Sequence, residues 1–115
     1  MSNASHDTTA PPLVLDRQDT DAASLIAACG EIDVATSPLL RDALNEAIAT
    51  SPATITLDFT QVAFIDSSGL GVLVGALERL RAARADATIR VLGPQDAIRK
   101  VFAITGLDRV FELSS

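Results

Sequence analysis

The sequence predicts an α/β fold built on a mixed sheet, and three observations carry that reading. Short segments with alternating or β-branched residues take turns with segments whose apolar residues recur at helical spacing. The resulting order is β-β-α-β-α-β-α with a short tail element, and strands separated by helices imply parallel pairs joined by crossovers. The two leading strands have no helix between them, so they form a hairpin and make the sheet mixed. The chain has 115 residues, which suits one domain whose core needs no disulfide or metal staple.

Residues 1–12 are polar and end in Pro11-Pro12. They read as a disordered lead, with a single domain over residues 13–115. Leu13 and Leu15 mark the first strand and residues 25–29 the second, with polar residues 18–21 as the hairpin loop. Gly30-Glu31-Ile32-Asp33 leads out of that second strand. Ser37-Pro38 reads as a helix start, Ser capping and Pro taking the first helical position. Leu40, Ala43, Leu44, Ala47 and Ile48 then form one apolar stripe, opposite Arg41, Asp42, Asn45 and Glu46. Ser51-Pro52 ends the helix. Residues 54–59 alternate polar and apolar and form a strand. A loop through Val62 and Phe64 leads to a second helix over residues 67–85, with Leu70, Leu73, Val74, Leu77 and Leu80 as its buried face. Residues 88–92 form the next strand, and Gly93-Pro94 turns the chain into a third helix bearing Ile98, Val101 and Phe102. Gly106 suits a left-handed helix cap, with Leu107 packing back on the last turn. Residues 110–113 close the chain as a short strand or a short helix, and the pattern fits both.

Composition removes several function classes. The net charge is −6, which opposes binding to a phosphate backbone, where clustered Lys and Arg are needed. Trp and Tyr are absent, so stacking platforms for single-stranded nucleic acid are scarce. No apolar run reaches the roughly 20 residues that span a bilayer, and no basic and apolar leader suggests secretion. Cys29 is the one cysteine, which fits a reduced cytoplasmic setting. Its neighbours Ala27 and Ala28 suggest a small buried hydrophobe rather than a redox sensor. The one histidine, His6, lies in the polar lead, so neither a metal site nor a cofactor is expected.

In the stretch FIDSSGLGVLVGALERL, residues 64–80, Asp66, Ser67, Ser68, Gly69 and Gly71 gather where a helix begins. Capping alone explains the residue types, because Asp and Ser satisfy the free N–H groups of a first turn. A catalytic serine needs a base within hydrogen-bond reach, and no histidine is near in sequence. The nucleophile elbow G-x-S-x-G is missing. Gly69, Gly71 and Gly75 miss the spacing of a dinucleotide fingerprint by one residue, and no Walker lysine follows. An enzyme is therefore not expected. A regulatory reading remains open: a serine at a helix N-terminus can carry a phosphate without unfolding its domain, because the helix end favours an anion. Phosphorylation adds about −1.5 to −2 charges at pH 7.

GEIDVATSPLLRDAL (residues 30–44), ITLDFTQVAFIDSSGLGVLVGALERLRA (residues 55–82) and VLGPQDAIRKVFAITGLDRVFEL (residues 91–113) together resemble the STAS domain of bacterial anti-sigma factor antagonists. The resemblance implies a STAS fold, a mixed central sheet of four to five strands with helices mainly on one side. It implies a partner-switching role in the cytoplasm. The unmodified protein would bind an anti-sigma factor serine kinase of the histidine-kinase-like ATPase fold and so free a sigma factor. The kinase would then phosphorylate Ser67, and a PP2C-type phosphatase would restore it. Asp66 would help position Ser67, and Ser68 and Gly69 would complete the helix start. Glu31 and Asp33 match the acidic pair that the family places near the partner face, while equally reading as solvated turn and helix-start acids. Asp58 matches a strand-end position and reads as structural. The phosphoryl chemistry belongs to the kinase, so the chain itself needs no cofactor. The free protein is expected to be a monomer that touches neither nucleic acid nor membrane. Other readings give the chain a docking role as an accessory subunit of a lipid-transport ATPase, without a phospho-switch, or nucleotide binding, for which no phosphate-cradling loop speaks.

Overall fold

The computed structural model describes residues 12–115. The expected lead and His6 lie outside the described residues, save Pro12, whose carbonyl accepts the Glu31 N–H at 2.9 Å. In chain order come β1 (Leu13–Asp19), β2 (Ala23–Ile32), α1 (Ser37–Ile48), β3 (Thr54–Ile65) and α2 (Ser67–Ala83). They are followed by β4 (Thr88–Leu92), α3 (Asp96–Thr105), a 3₁₀ turn at Leu107–Arg109 and β5 (Glu112–Ser114). The tail element is thus a strand.

The five strands lie side by side in chain order. β1 runs antiparallel to β2, and β2 to β5 are parallel. Each helical crossover therefore advances the sheet in the same direction. Crossovers of the usual right hand then stack their helices on one face. Burial agrees: Ile26, Ala28, Ile55, Leu57, Ile89 and Val91 are buried on the helix side, while Leu25, Cys29 and Arg90 between them are exposed. Leu40 and Leu44 of α1, Leu73 and Leu80 of α2, and Phe102 of α3 complete the core with no exposed surface. Phe102 meets Phe111 edge to face at 6.0 Å between ring centroids, an arrangement favoured by the ring quadrupoles.

Four expectations need correction. Cys29 is exposed, not buried, because the alternation of β2 continues through Ala28 and turns Cys29 to the uncovered face between Val14 and Gln61. The segment through Val62 and Phe64 is the second half of β3, not a loop. There the β2–β3 register shifts twice, so the period of two breaks at Thr60 and Gln61 and the pattern hides the strand. Gln18 and Asp19 belong to β1, and the hairpin turn is shorter, closed by the Thr20 N–H on the Ala23 carbonyl at 2.8 Å. Ser37 is the first helical residue rather than the cap. Thr36 is the N-cap, without a side-chain cap bond, and the Ser37 N–H donates to the Asp33 carbonyl at 2.7 Å. Lesser shifts are that α2 stops at Ala83 and that Val72 and Ala76, rather than Val74, join its buried face.

Gly30 explains the first residue of the G-E-I-D motif. Its φ is +127°, and a Cβ there would stand 2.2 Å from the Pro12 carbonyl oxygen. Only glycine lets β1 and β2 close together at this point. Phe102→Ala is expected to cost about 3–5 kcal/mol of stability, measured as a lower urea midpoint with an unchanged slope.

Candidate functional site

The site forms where β2 and β3 end side by side, Ile32 paired with Ile65. The Asp66 N–H donates to the Ile32 carbonyl at 3.1 Å, so the residue that leaves β3 is pinned to the end of β2. α2 begins at the very next residue. Asp66 is extended, with φ −114° and ψ −173°, as an N-cap should be. Its Oδ1 accepts the N–H groups of Ser68 at 2.9 Å and Gly69 at 3.2 Å, and the Ser68 hydroxyl as well. The hydrogen bond from the Ser68 hydroxyl, above all, holds the Asp66 carboxyl below its ordinary value. Burial opposes it with the next largest effect, and the backbone N–H groups of Gly69 and Ser68 each add a smaller lowering contribution.

The two adjacent serines have different fates. The Ser68 hydroxyl is committed to Asp66, and its residue is half-buried. Ser67 is exposed, and its hydroxyl bonds to no described residue. Gly69 is buried, and a Cβ on it would fall 2.6 Å from Ile32 Cγ2 and 2.8 Å from Ile65 Cγ1. The first turn of α2 is thus seated directly on the ends of both strands, which sets the height at which Ser67 stands.

A second turn of similar chemistry flanks the first. Asp33 Oδ1 accepts the N–H groups of Ala35 and Thr36, each at 3.0 Å. The buried Thr36 hydroxyl donates to the Glu31 carbonyl at 2.8 Å and accepts the Asp33 N–H at 2.9 Å. The Asp33 carboxylate is therefore largely occupied in holding the passage from β2 to α1. Glu31 is exposed and paired with Phe64 across the sheet. Asp58 lies farther back, where it pairs with Ala27 and Leu92, and takes the Thr60 N–H at 3.0 Å and the Thr60 hydroxyl at 2.7 Å. Among the described residues no group of three or more His, Cys, Asp or Glu side chains converges as metal ligands, and no helix is long and apolar enough to cross a membrane.

Glu31, Asp33, Asp66, Ser67, Ser68 and Gly69 thus share one end of the sheet, with the last four in a single turn. Thr36 was missed. The spacing D-x-x-T from Asp33 to Thr36 is the signal that marks it, since such side chains bond to backbone a turn away.

The glycines of α2 supply a paired test. Gly69→Ala is expected to destabilise by about 1–3 kcal/mol through overpacking against Ile32. Gly71→Ala, where a Cβ meets nothing within 4 Å, is expected to be neutral or to gain up to about 1 kcal/mol. Chemical denaturation of the two variants checks both. Asp66 supplies a pH test. Its carboxyl is lowered in the folded state, so its stabilisation is complete above the unfolded value and fades as pH falls through the folded one. The stability gap between the unaltered chain and Asp66→Ala should be constant above about pH 5 and shrink below it in denaturation curves taken across pH.

A family model described as the STAS domain matches residues 15–115. The chain is 35% identical over 98 residues to the anti-sigma-B factor antagonist of Listeria monocytogenes, spanning 85% of this chain and 83% of that one. The crystal structure of an anti-sigma factor antagonist from Mycobacterium paratuberculosis superposes with a TM-score of 0.81 at 32% identity, over 92% of this chain and 89% of the other. The anti-sigma factor antagonist SpoIIAA in its unphosphorylated form gives 0.75 at 27% identity, over 89% of each chain. The same Bacillus cell fate determinant in the phosphorylated form gives 0.68 at 27% identity, over 89% of this chain and 92% of that one. The match extends across the sheet, all three helices and the turn that carries Ser67, and this chain belongs to the STAS domain family.

Proposed function

We propose that this chain is an anti-sigma factor antagonist switched by phosphorylation of Ser67. Unmodified, it binds an anti-sigma factor that is also a serine kinase, and the bound kinase releases its sigma factor. The observation that carries the reading is the exposed Ser67 hydroxyl, free of intramolecular bonds among the described residues, beside a Ser68 hydroxyl held by Asp66. The names of the Listeria and Mycobacterium relatives support the antagonist role. The existence of SpoIIAA in both phosphorylated and unphosphorylated forms supports the switch.

In the proposed step the kinase supplies ATP, magnesium and the base. The Ser67 oxygen attacks the γ-phosphorus, its proton passes to the kinase base, and ADP leaves. A PP2C-type phosphatase reverses the modification by hydrolysis. The product places about −1.5 to −2 charges next to Asp66, at a helix end that tolerates an anion. The fold survives, and the already acidic docking surface becomes more negative and more strongly hydrated. Repulsion of a few kcal/mol from carboxylates on the partner converts to a binding change of about 100-fold. Asp66 sets the turn, Ser68 and Gly69 complete it, and Glu31 and Asp33 border the contact, Asp33 by shaping the neighbouring loop.

Incubation with the cognate kinase and Mg-ATP is expected to add one phosphate, read by intact mass, and none to Ser67→Ala. Binding of that kinase is expected to fall about 100-fold for Ser67→Asp in titration calorimetry. Equal phosphorylation of Ser67→Ala sinks the assignment.

A further inference from the structure

Apolar residues run without interruption from Leu25 to Cys29 in β2. A strand covered on both faces carries such a run, whereas one covered on a single face alternates. β3 and β4 do alternate, as Thr54-Ile55-Thr56-Leu57-Asp58 and Thr88-Ile89-Arg90-Val91 show. The helices cover β2 on one side only, where Ser24, Ile26 and Ala28 are buried. Ala23, Leu25, Ala27 and Cys29 turn to the other side, Leu25 and Cys29 exposed, Ala23 and Ala27 half-buried. β2 therefore has the sequence of a doubly covered strand and a cover on one face.

The pairing register shows that these side chains share one surface, because residues directly opposite on neighbouring strands point to the same face. On the β1 side the exposed Val14 stands opposite Cys29, and Asp16 opposite Ala27. On the β3 side Thr56 stands opposite Leu25, and Asp58 opposite Ala27. Val14, Ala27 and Cys29 line a shallow hollow of about 160 Å³ whose margin includes both Asp16 and Asp58. Ala23 and Leu25 border a second hollow, of about 270 Å³, toward the hairpin turn. The stripe from Ala23 to Cys29 is about 20 Å long, with an acid on each side of its middle. Of the two cations in the described strands, Arg90 already pairs with Glu112 at 3.2 Å, and Arg17 reaches Glu46 of α1 at 3.4 Å.

We infer that this stripe is a docking surface for an amphipathic helix of a partner protein, with apolar residues toward β2 and Lys or Arg along both borders. The size fits. Asp16 and Asp58 flank β2 from the strands on either side, two strand spacings or about 10 Å apart, and a helix with its side chains is about 10–12 Å across. A helix lying along β2 thus brings its two borders over the two carboxylates. At about 1.5 Å of rise per residue, three to four turns span the stripe. Charge selects the occupant. A second copy of this face would set Asp16 and Asp58 against acids of its own kind, and like charges repel. The inference uses neither Ser67 nor the turn that carries it, so it stands or falls apart from the functional reading above.

The test titrates the isotope-labelled full chain with a synthetic helical peptide of Leu and Lys, about 15 residues long, its leucines on one face and its lysines along both borders of that face. Amide shifts are followed in about 0.15 M salt. The largest shifts are expected at Leu25, Ala27, Cys29 and Thr56. Ala27→Arg, which fills the stripe and answers both acids, is expected to weaken the peptide at least about tenfold, and Leu25→Ser at least about threefold. Ile104→Ser, on α3 in the helix layer, is expected to change it less than about twofold. Leu25→Ser alters an exposed side chain and keeps the test decisive if Ala27→Arg folds poorly. Absence of saturable binding overturns the inference, as do shifts centred on the helix layer or on the Ser67 turn. Unchanged affinity in both stripe variants, or equal binding of a Leu and Glu peptide, overturns it as well. A dimer of the unaltered chain that Leu25→Ser converts to monomer assigns the face to a second copy and likewise overturns it.

Discussion

One carboxylate oxygen organises the part of this molecule that matters most. Asp66 Oδ1 gathers two backbone N–H groups and a hydroxyl, while the N–H of the same residue holds the Ile32 carbonyl. The first set of bonds starts α2 and the second anchors it to β2. Without this junction the chain would pass from strand to helix through a loop, and Ser67 would have no fixed height. The absent side chain at Gly69 completes the joint by letting the helix rest on Ile32 and Ile65.

The topology decides where that joint can lie. Parallel strands joined by helices in chain order bring their carboxyl ends to one edge, and open α/β sheets commonly bind at that edge. Here the helices share one face. The ends of β2 and β3 therefore meet solvent together with the helix starts that follow them. Two aspartates, Asp33 and Asp66, tie down successive exits from the sheet by the same means. The repetition gives a rigid rim, on which an exposed hydroxyl holds its position.

Much of this was legible from residues alone. The stripe from Leu40 to Ile48, the strand at Thr88–Leu92 and the left-handed Gly106 follow local rules, and the structure agrees with each. Asp66 at a helix start was equally plain, because capping depends on neighbours in sequence. What escaped notice depends on partners far along the chain. The extension of β3 to Ile65 rests on pairing with β2 across irregular register. The exposure of Cys29 rests on the sheet having one uncovered face, which no run of alanines can reveal. The cap lies at Thr36, one residue before Ser37, because the Ser37 N–H already bonds the Asp33 carbonyl four residues back. The role of Thr36 rests on its bond to the Glu31 carbonyl, which places it under the turn.

The hairpin at the front has a practical outcome. β1 runs against its neighbour, so Leu13 starts beside Gly30, close to where β2 finishes. Whatever precedes Leu13 joins the body at the rim occupied by Glu31 and Ser67. An affinity tag, fluorophore or fusion joined directly to Pro12 would stand beside that rim. The tip of α3 near Thr105, reached by no strand end of the rim, offers a quieter place for a label or a surface tether.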